Sequence, residues 1–185
     1  MALRATVYKA ELSIADLDRS YYADHVLTLA RHPSETEERM MMRLIAFALN
    51  ADPALSFGAG LSTGDEPDLW RRDLTGAIEQ WIEVGLPDER VLRKAAGRAA
   101  AVGVYAYGGR KADAWWSQNA AAMRRIAPLS VVAIDVPGPL ALAGLAERTM
   151  RLSATIQDGQ VLLSSGERSV TAVTTSLLAR ADPRR

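Results

Sequence analysis

The stretch from residue 34 to residue 107 constrains the fold most, because its periodicity changes in a definite order: helix, three short strands, helix, strand. Ser34 is followed three residues later by Glu37, the spacing of a capping box, and Met41, Leu44, Ile45 and Ala48 then recur on one face, which predicts a helix over 35–50. Asp52-Pro53 stops it. Segments 55–58, 68–71 and 80–84, separated by Gly, Ser, Thr and Asp, read as a three-stranded meander. Leu86-Pro87-Asp88-Glu89 opens a second helix reaching about residue 100, with proline and acids where the orphan N–H groups and the helix dipole favour them. Its stripe of Leu92, Ala95, Ala96 and Ala99 is small enough to lie close on a sheet, and 102–107 then reads as a buried strand ended by Gly108-Gly109.

The flanking segments add strands at both ends. Segments 6–13 and 25–30 alternate in character and predict an N-terminal β-hairpin joined through the polar stretch 15–20. A third helix over 111–125 carries Trp115 and Trp116, 129–136 reads as a second buried strand, and 140–147 as a short helix. Segments 150–157 and 160–164 flank Asp158-Gly159, the signature of a two-residue hairpin turn, and 169–174 is expected to add an edge strand. The fold class expected is therefore mixed α/β (α+β): an αβββαβ core on a mixed sheet, extended by N-terminal and C-terminal β-hairpins. With no internal repeat or linker, one domain over 1–180 and a flexible tail over 181–185 are expected.

Composition narrows the chemistry. There are no cysteines, which removes disulfides and thiolate metal sites, and the two histidines, His25 and His32, are too few and poorly spaced for zinc. The formal net charge is zero, which argues against coating nucleic acid through bulk electrostatics. No apolar run of about 18 residues suggests a membrane span, and no signal-like segment opens the chain, so a cytoplasmic location is expected.

Acid groups concentrate in Gly64-Asp65-Glu66-Pro67-Asp68-Leu69-Trp70 and Glu79-Gln80-Trp81-Ile82-Glu83-Val84-Gly85. A Pro-Asp pair entering one strand, and a Glu inside a strand about fifteen residues later, place two carboxylates at neighbouring strand ends. Side by side, like charges raise each other's pKa, whereas a hard divalent ion with oxygen ligands holds both ionised. In a thiol-free chain, that ion would be Mg2+ or Mn2+.

The αβββαβ order, an acid on the first helix, Pro-Asp before the second strand and a Glu inside the third resemble the PD-(D/E)XK nuclease-like (restriction endonuclease-like) superfamily. Within it the chain resembles the YaeQ family, through residues 1–6, 27–36, 64–68, 81–90 and 154–159. The resemblance implies metal-dependent hydrolysis of nucleic-acid phosphodiesters, with Asp68 as the motif acid, Glu83 as the second carboxylate and Glu38 as the helix acid. These three are the expected catalytic and metal-binding residues. Glu38 shares a stripe with Met41, Met42 and Ile45, and Glu35, one turn earlier, competes with it. Glu66 and Gln80 are second choices.

One departure bears on activity. The superfamily's third motif ends in a lysine two positions after the acid, and here Gly85 stands there. In some members a lysine from the following helix substitutes, which would make Lys94 the candidate. The helical wheel sends Lys94 away from the stripe of Leu92, Ala95 and Ala99, towards solvent. The alternative is a catalytically inactive nuclease-like fold that binds nucleic acid or a protein partner. The ordinary reading of Arg90, Arg93, Lys94 and Arg98 is a solvated helix face. Trp115 and Trp116, adjacent on a helix, diverge by about 100° and form no common stacking platform.

Overall fold

The computed structural model describes residues 4–59 and 65–180; the tail at 181–185, Gly64 and the first three residues lie outside that set. Among the described residues, ten strands form one sheet in the order β2-β1-β8-β9-β10-β7-β6-β5-β4-β3. In chain order the elements are β1 (Thr6–Asp16), β2 (Tyr21–Arg31), α1 (Glu37–Asn50), β3 (Leu55–Phe57), β4 (Leu69–Arg72), β5 (Ile78–Val84), α2 (Glu89–Ala96), β6 (Ala99–Tyr107), α3 (Arg110–Met123), β7 (Leu129–Asp135), α4 (Pro139–Ala143), β8 (Thr149–Gln157), β9 (Gln160–Ser165) and β10 (Arg168–Leu178). The expected αβββαβ order runs from α1 to β6. The pairs β5–β6, β6–β7 and β1–β8 are parallel and the rest antiparallel, so the sheet is mixed.

α1 is buried all round: every residue from Met40 to Ala48, including Arg43, is shielded. A helix with no solvent face needs walls on several sides. It touches β2, β5, β8 and α4, so the sheet curves around it. One core lies on this concave side, with Leu12, Leu29, Leu69, Ile82 and Leu152 packed around the helix. On the opposite side α2 and α3 pack Leu92, Ala95 and Met123 against Trp81, Val104 and Val131, with Leu177 and Leu178 of β10 at the margin.

Four details differ from expectation. The N-cap of α1 is Thr36, whose hydroxyl accepts from the Arg39 N–H at 3.1 Å, because Ser34 is held by His32 Nδ1 at 2.6 Å and Glu35 turns inward. α2 stops at Ala96, with Gly97 as its C-cap, and Ala99 already belongs to β6. α4 ends at Ala143 rather than near residue 147. The segment expected as an edge strand lies inside β10, which sits between β9 and β7 and joins the two halves of the sheet. The C-terminal hairpin turns at Asp158-Gly159 as expected, with φ of 51° and 74°, the positive pair that a two-residue turn of this hand requires.

Candidate functional site

Parallel β5, β6 and β7 point their C-terminal ends the same way, and a cleft of about 800 Å³ opens there against the first turn of α1. Ligands of open parallel sheets bind outside such strand ends. Glu38 and Arg39 of α1, Glu83 and Gly85 at the end of β5, Tyr107 at the end of β6, Lys111 of α3 and Asp135 of β7 line it.

Leu69 pairs with Ile82, so Asp68, immediately before it, reaches the end of β5. Its Oδ2 accepts the Val84 N–H at 2.7 Å, and it is only 4% exposed. Both of its oxygens also accept from Arg39 Nη2 at 2.9 Å, while the same nitrogen donates to the Val84 carbonyl at 3.1 Å. Arg39 Nη1 reaches back one turn to Glu35 Oε1 at 2.9 Å. Burial acts to lower the Arg39 pKa, but the carboxylates of Asp68 and Glu35 outweigh it and hold the guanidinium above its ordinary value.

Glu83 stands beside this pair. Burial pushes its carboxyl up, the Asp68 charge pushes the same way, and the Trp81 indole N–H, donated to Oε1 at 2.7 Å, and Arg39 work against them; the result is about 7. Tyr107 is pushed to about 12, chiefly by burial, with Arg39 opposing and Glu38, Glu35 and Asp68 assisting, so at neutral pH its phenol is a hydrogen-bond donor.

The remaining sequence candidates lie elsewhere. Glu35, 2% exposed, is bound by Arg43 Nε at 2.9 Å and Nη2 at 2.8 Å as well as by Arg39, which makes it the anchor of a buried charge cluster. Gln80 faces the other end of α1, where it donates to Asn50 Oδ1 at 2.8 Å. Glu66 accepts the Ala59 N–H at 3.2 Å. Lys94 is exposed and ion-paired with Asp65 on the surface. Gly85 has φ of 117°, a conformation that side-chain-bearing residues rarely adopt, so the backbone itself disfavours a lysine there. Trp115 donates to the Pro87 carbonyl at 3.1 Å, and the two indoles are tilted by 41°.

A divalent ion asks for several converging oxygen ligands. Among the described residues no group of three or more His, Asp or Glu side chains could hold one. Asp68 and Glu83 form a pair rather than a trio, and the Asp68 oxygens are already taken by a guanidinium and a backbone N–H. The arrangement of Asp68, Glu83 and Glu38 does not fit a bound metal ion. Arg39, Tyr107 and Lys111 were not among the sequence candidates; the one local signal was Gly108-Gly109, which ends a buried strand just before Lys111.

The family model for the YaeQ protein matches residues 1–174. The chain belongs to the YaeQ family. It is 50% identical over 171 residues to a relative from Salmonella typhi and 48% identical over 170 residues to one from Escherichia coli strain K12, both described as uncharacterised YaeQ proteins; each match covers 92% of this chain and 94% of the relative. The crystal structure of the YaeQ protein from Xanthomonas axonopodis pv. citri matches with a TM-score of 0.90 at 51% identity, covering 95% of this chain and 99% of that one. The Pseudomonas syringae YaeQ structure matches with a TM-score of 0.86 at 35% identity, covering 95% and 97%. Among the described residues, no helix of this YaeQ chain is long and apolar enough to cross a membrane.

Proposed function

We propose that the cleft is an acid–base site for phosphate esters of nucleic acid, with Glu83 as its proton-transfer group. One observation carries this reading: a mostly buried carboxyl held at about 7 in a cleft of nucleotide-accommodating size. A general acid or base works best with a pKa near the working pH, because both protonation states are then accessible. Lys111 supplies positive charge and the Tyr107 phenol a donor in the same cleft, the groups that stabilise charge developing on a phosphoryl oxygen. The resemblance to the nuclease-like superfamily supplies the substrate class, and proton transfer at Glu83 asks for no metal ion.

A second reading, binding without turnover, is favoured by Gly85 and by the Arg39 guanidinium that covers Asp68. The deciding experiment incubates the protein with single- and double-stranded DNA and RNA, in EDTA and in manganese, across pH 5–9. Cleavage that rises with pH through about 7 in EDTA, and is lost in Glu83→Gln while binding persists, is the expected result. Salt-sensitive binding with no cleavage establishes the second reading. Absence of both removes nucleic acid as the ligand and leaves a protein partner.

A further inference from the structure

We propose that Arg39 is the resident cation of the cleft, neutralising Asp68 in the place of a divalent ion, and that the wild-type protein takes up neither Mg2+ nor Mn2+ at Asp68 and Glu83. Two acids at neighbouring strand ends need a counter-charge. The chain supplies one covalently. Arg39 Nη2 spans both Asp68 oxygens at 2.9 Å and ties them to the Val84 carbonyl at 3.1 Å, so that Asp68 and the end of β5 are clamped by a single nitrogen.

The clamp is itself held. Arg39 Nη1 is bonded to Glu35 at 2.9 Å, and Glu35 is pinned by the fully buried Arg43. For a metal ion to reach Asp68, the guanidinium would have to leave an oxygen pair, a backbone carbonyl and a buried carboxylate together. It would also have to leave a place where its side chain is only 17% exposed. Mutual repulsion keeps both cations from sharing the same two oxygens. Gly85 fits this scheme: with Arg39 delivering positive charge from α1, the end of β5 carries no lysine and turns through a glycine-type conformation. Arginine suits the task, since its planar fork holds Nη1 on Glu35 and Nη2 on Asp68 at once, which the point charge of lysine cannot do.

The inference concerns only what neutralises Asp68, and its test reads no catalytic activity, so it stands or falls separately from the role given to Glu83. Mn2+ uptake is measured by loss of the free-ion electron paramagnetic resonance signal, and thermal unfolding is followed in EDTA and in millimolar Mn2+, for wild type, Arg39→Gln, Asp68→Asn and the Arg39→Gln/Asp68→Asn double variant. Wild type is expected to bind no Mn2+ saturably and to unfold at one temperature in both media. Arg39→Gln, with Asp68 uncovered, is expected to gain Mn2+ uptake and a Mn2+-dependent rise in unfolding temperature, and the double variant to lose both. Saturable Mn2+ uptake by wild type that Asp68→Asn abolishes overturns the proposal, and this comparison needs no Arg39 variant to fold. A folded Arg39→Gln that still takes up no Mn2+ overturns it too.

Discussion

Replacing Glu83 with Gln should make the protein more stable above neutral pH while leaving it nearly unchanged in acid. The folded-state pKa of Glu83 is raised from 4.5 to about 7, so between these values the folded protein binds a proton that the unfolded chain has lost. Stability linked to this group is fully present below pH 4.5 and is lost as pH rises through about 7. At about 1.4 kcal/mol per pKa unit, the shift corresponds to a loss of roughly 3 kcal/mol by pH 8. Glutamine carries no charge to desolvate and retains a carbonyl oxygen to accept from the Trp81 indole. Urea unfolding at intervals from pH 5 to pH 8 should therefore give a wild-type curve that falls relative to Glu83→Gln by about 3 kcal/mol, equivalent to about 6–12 °C in unfolding temperature for a chain of this size. Other titrating groups move both proteins together and cancel in the difference. Parallel curves would show that Glu83 ionises normally and would remove the basis for its proton-transfer role.

Glu35→Gln takes the negative charge from between Arg39 and the fully buried Arg43 and should cost about 3–5 kcal/mol in urea unfolding. Arg19 donates to the Ala48 and Ala51 carbonyls at the C-terminal end of α1, at 3.1 and 3.3 Å, and Arg19→Met should cost about 1–2 kcal/mol, read as a lower urea midpoint at unchanged slope. His25, packed edge-on to Phe47, has its pKa lowered by burial, against weaker opposition from Asp24 and Asp52. Its linked stability is present above the unfolded value of 6.5 and is lost as pH falls, so its ring resonances should titrate in NMR with a midpoint below 6.5. Gly159→Ala should cost about 1–2 kcal/mol in urea unfolding, because the turn holds φ at 74° and the added methyl would press on Thr174 Oγ1 at 3.3 Å.

Local signals revealed local structure. The Met41, Leu44, Ile45, Ala48 spacing located α1, and Asp158-Gly159 located a hairpin, because each depends on residues within a turn or two of chain. Thr36 rather than Ser34 caps α1, because Glu35 turns into the core onto Arg43, whose guanidinium is itself held on the Ala30 carbonyl of β2. The interior position of β10 is hidden because it alternates small, hydroxylated and apolar residues like an edge strand, with Ser169, Thr171, Val173 and Thr175 exposed on one face. In the cleft, the acids were readable from the Pro-Asp pair and the later Glu. The cation beside them was not: Arg39 meets Asp68 across 29 positions of chain, and nothing near either residue signals the other.

The parallel pairing of β1 with β8 sets an order of events during synthesis. Lys9 lies opposite Thr149, so the first hairpin leaves the ribosome with its inner ladder unpaired and must wait until most of the polypeptide has been made before that ladder is filled. Until then α1 lacks the β8 wall, and a nascent chain interrupted before residue 149 would carry an open strand edge and a methionine-rich helix without one of its walls, both features that favour aggregation.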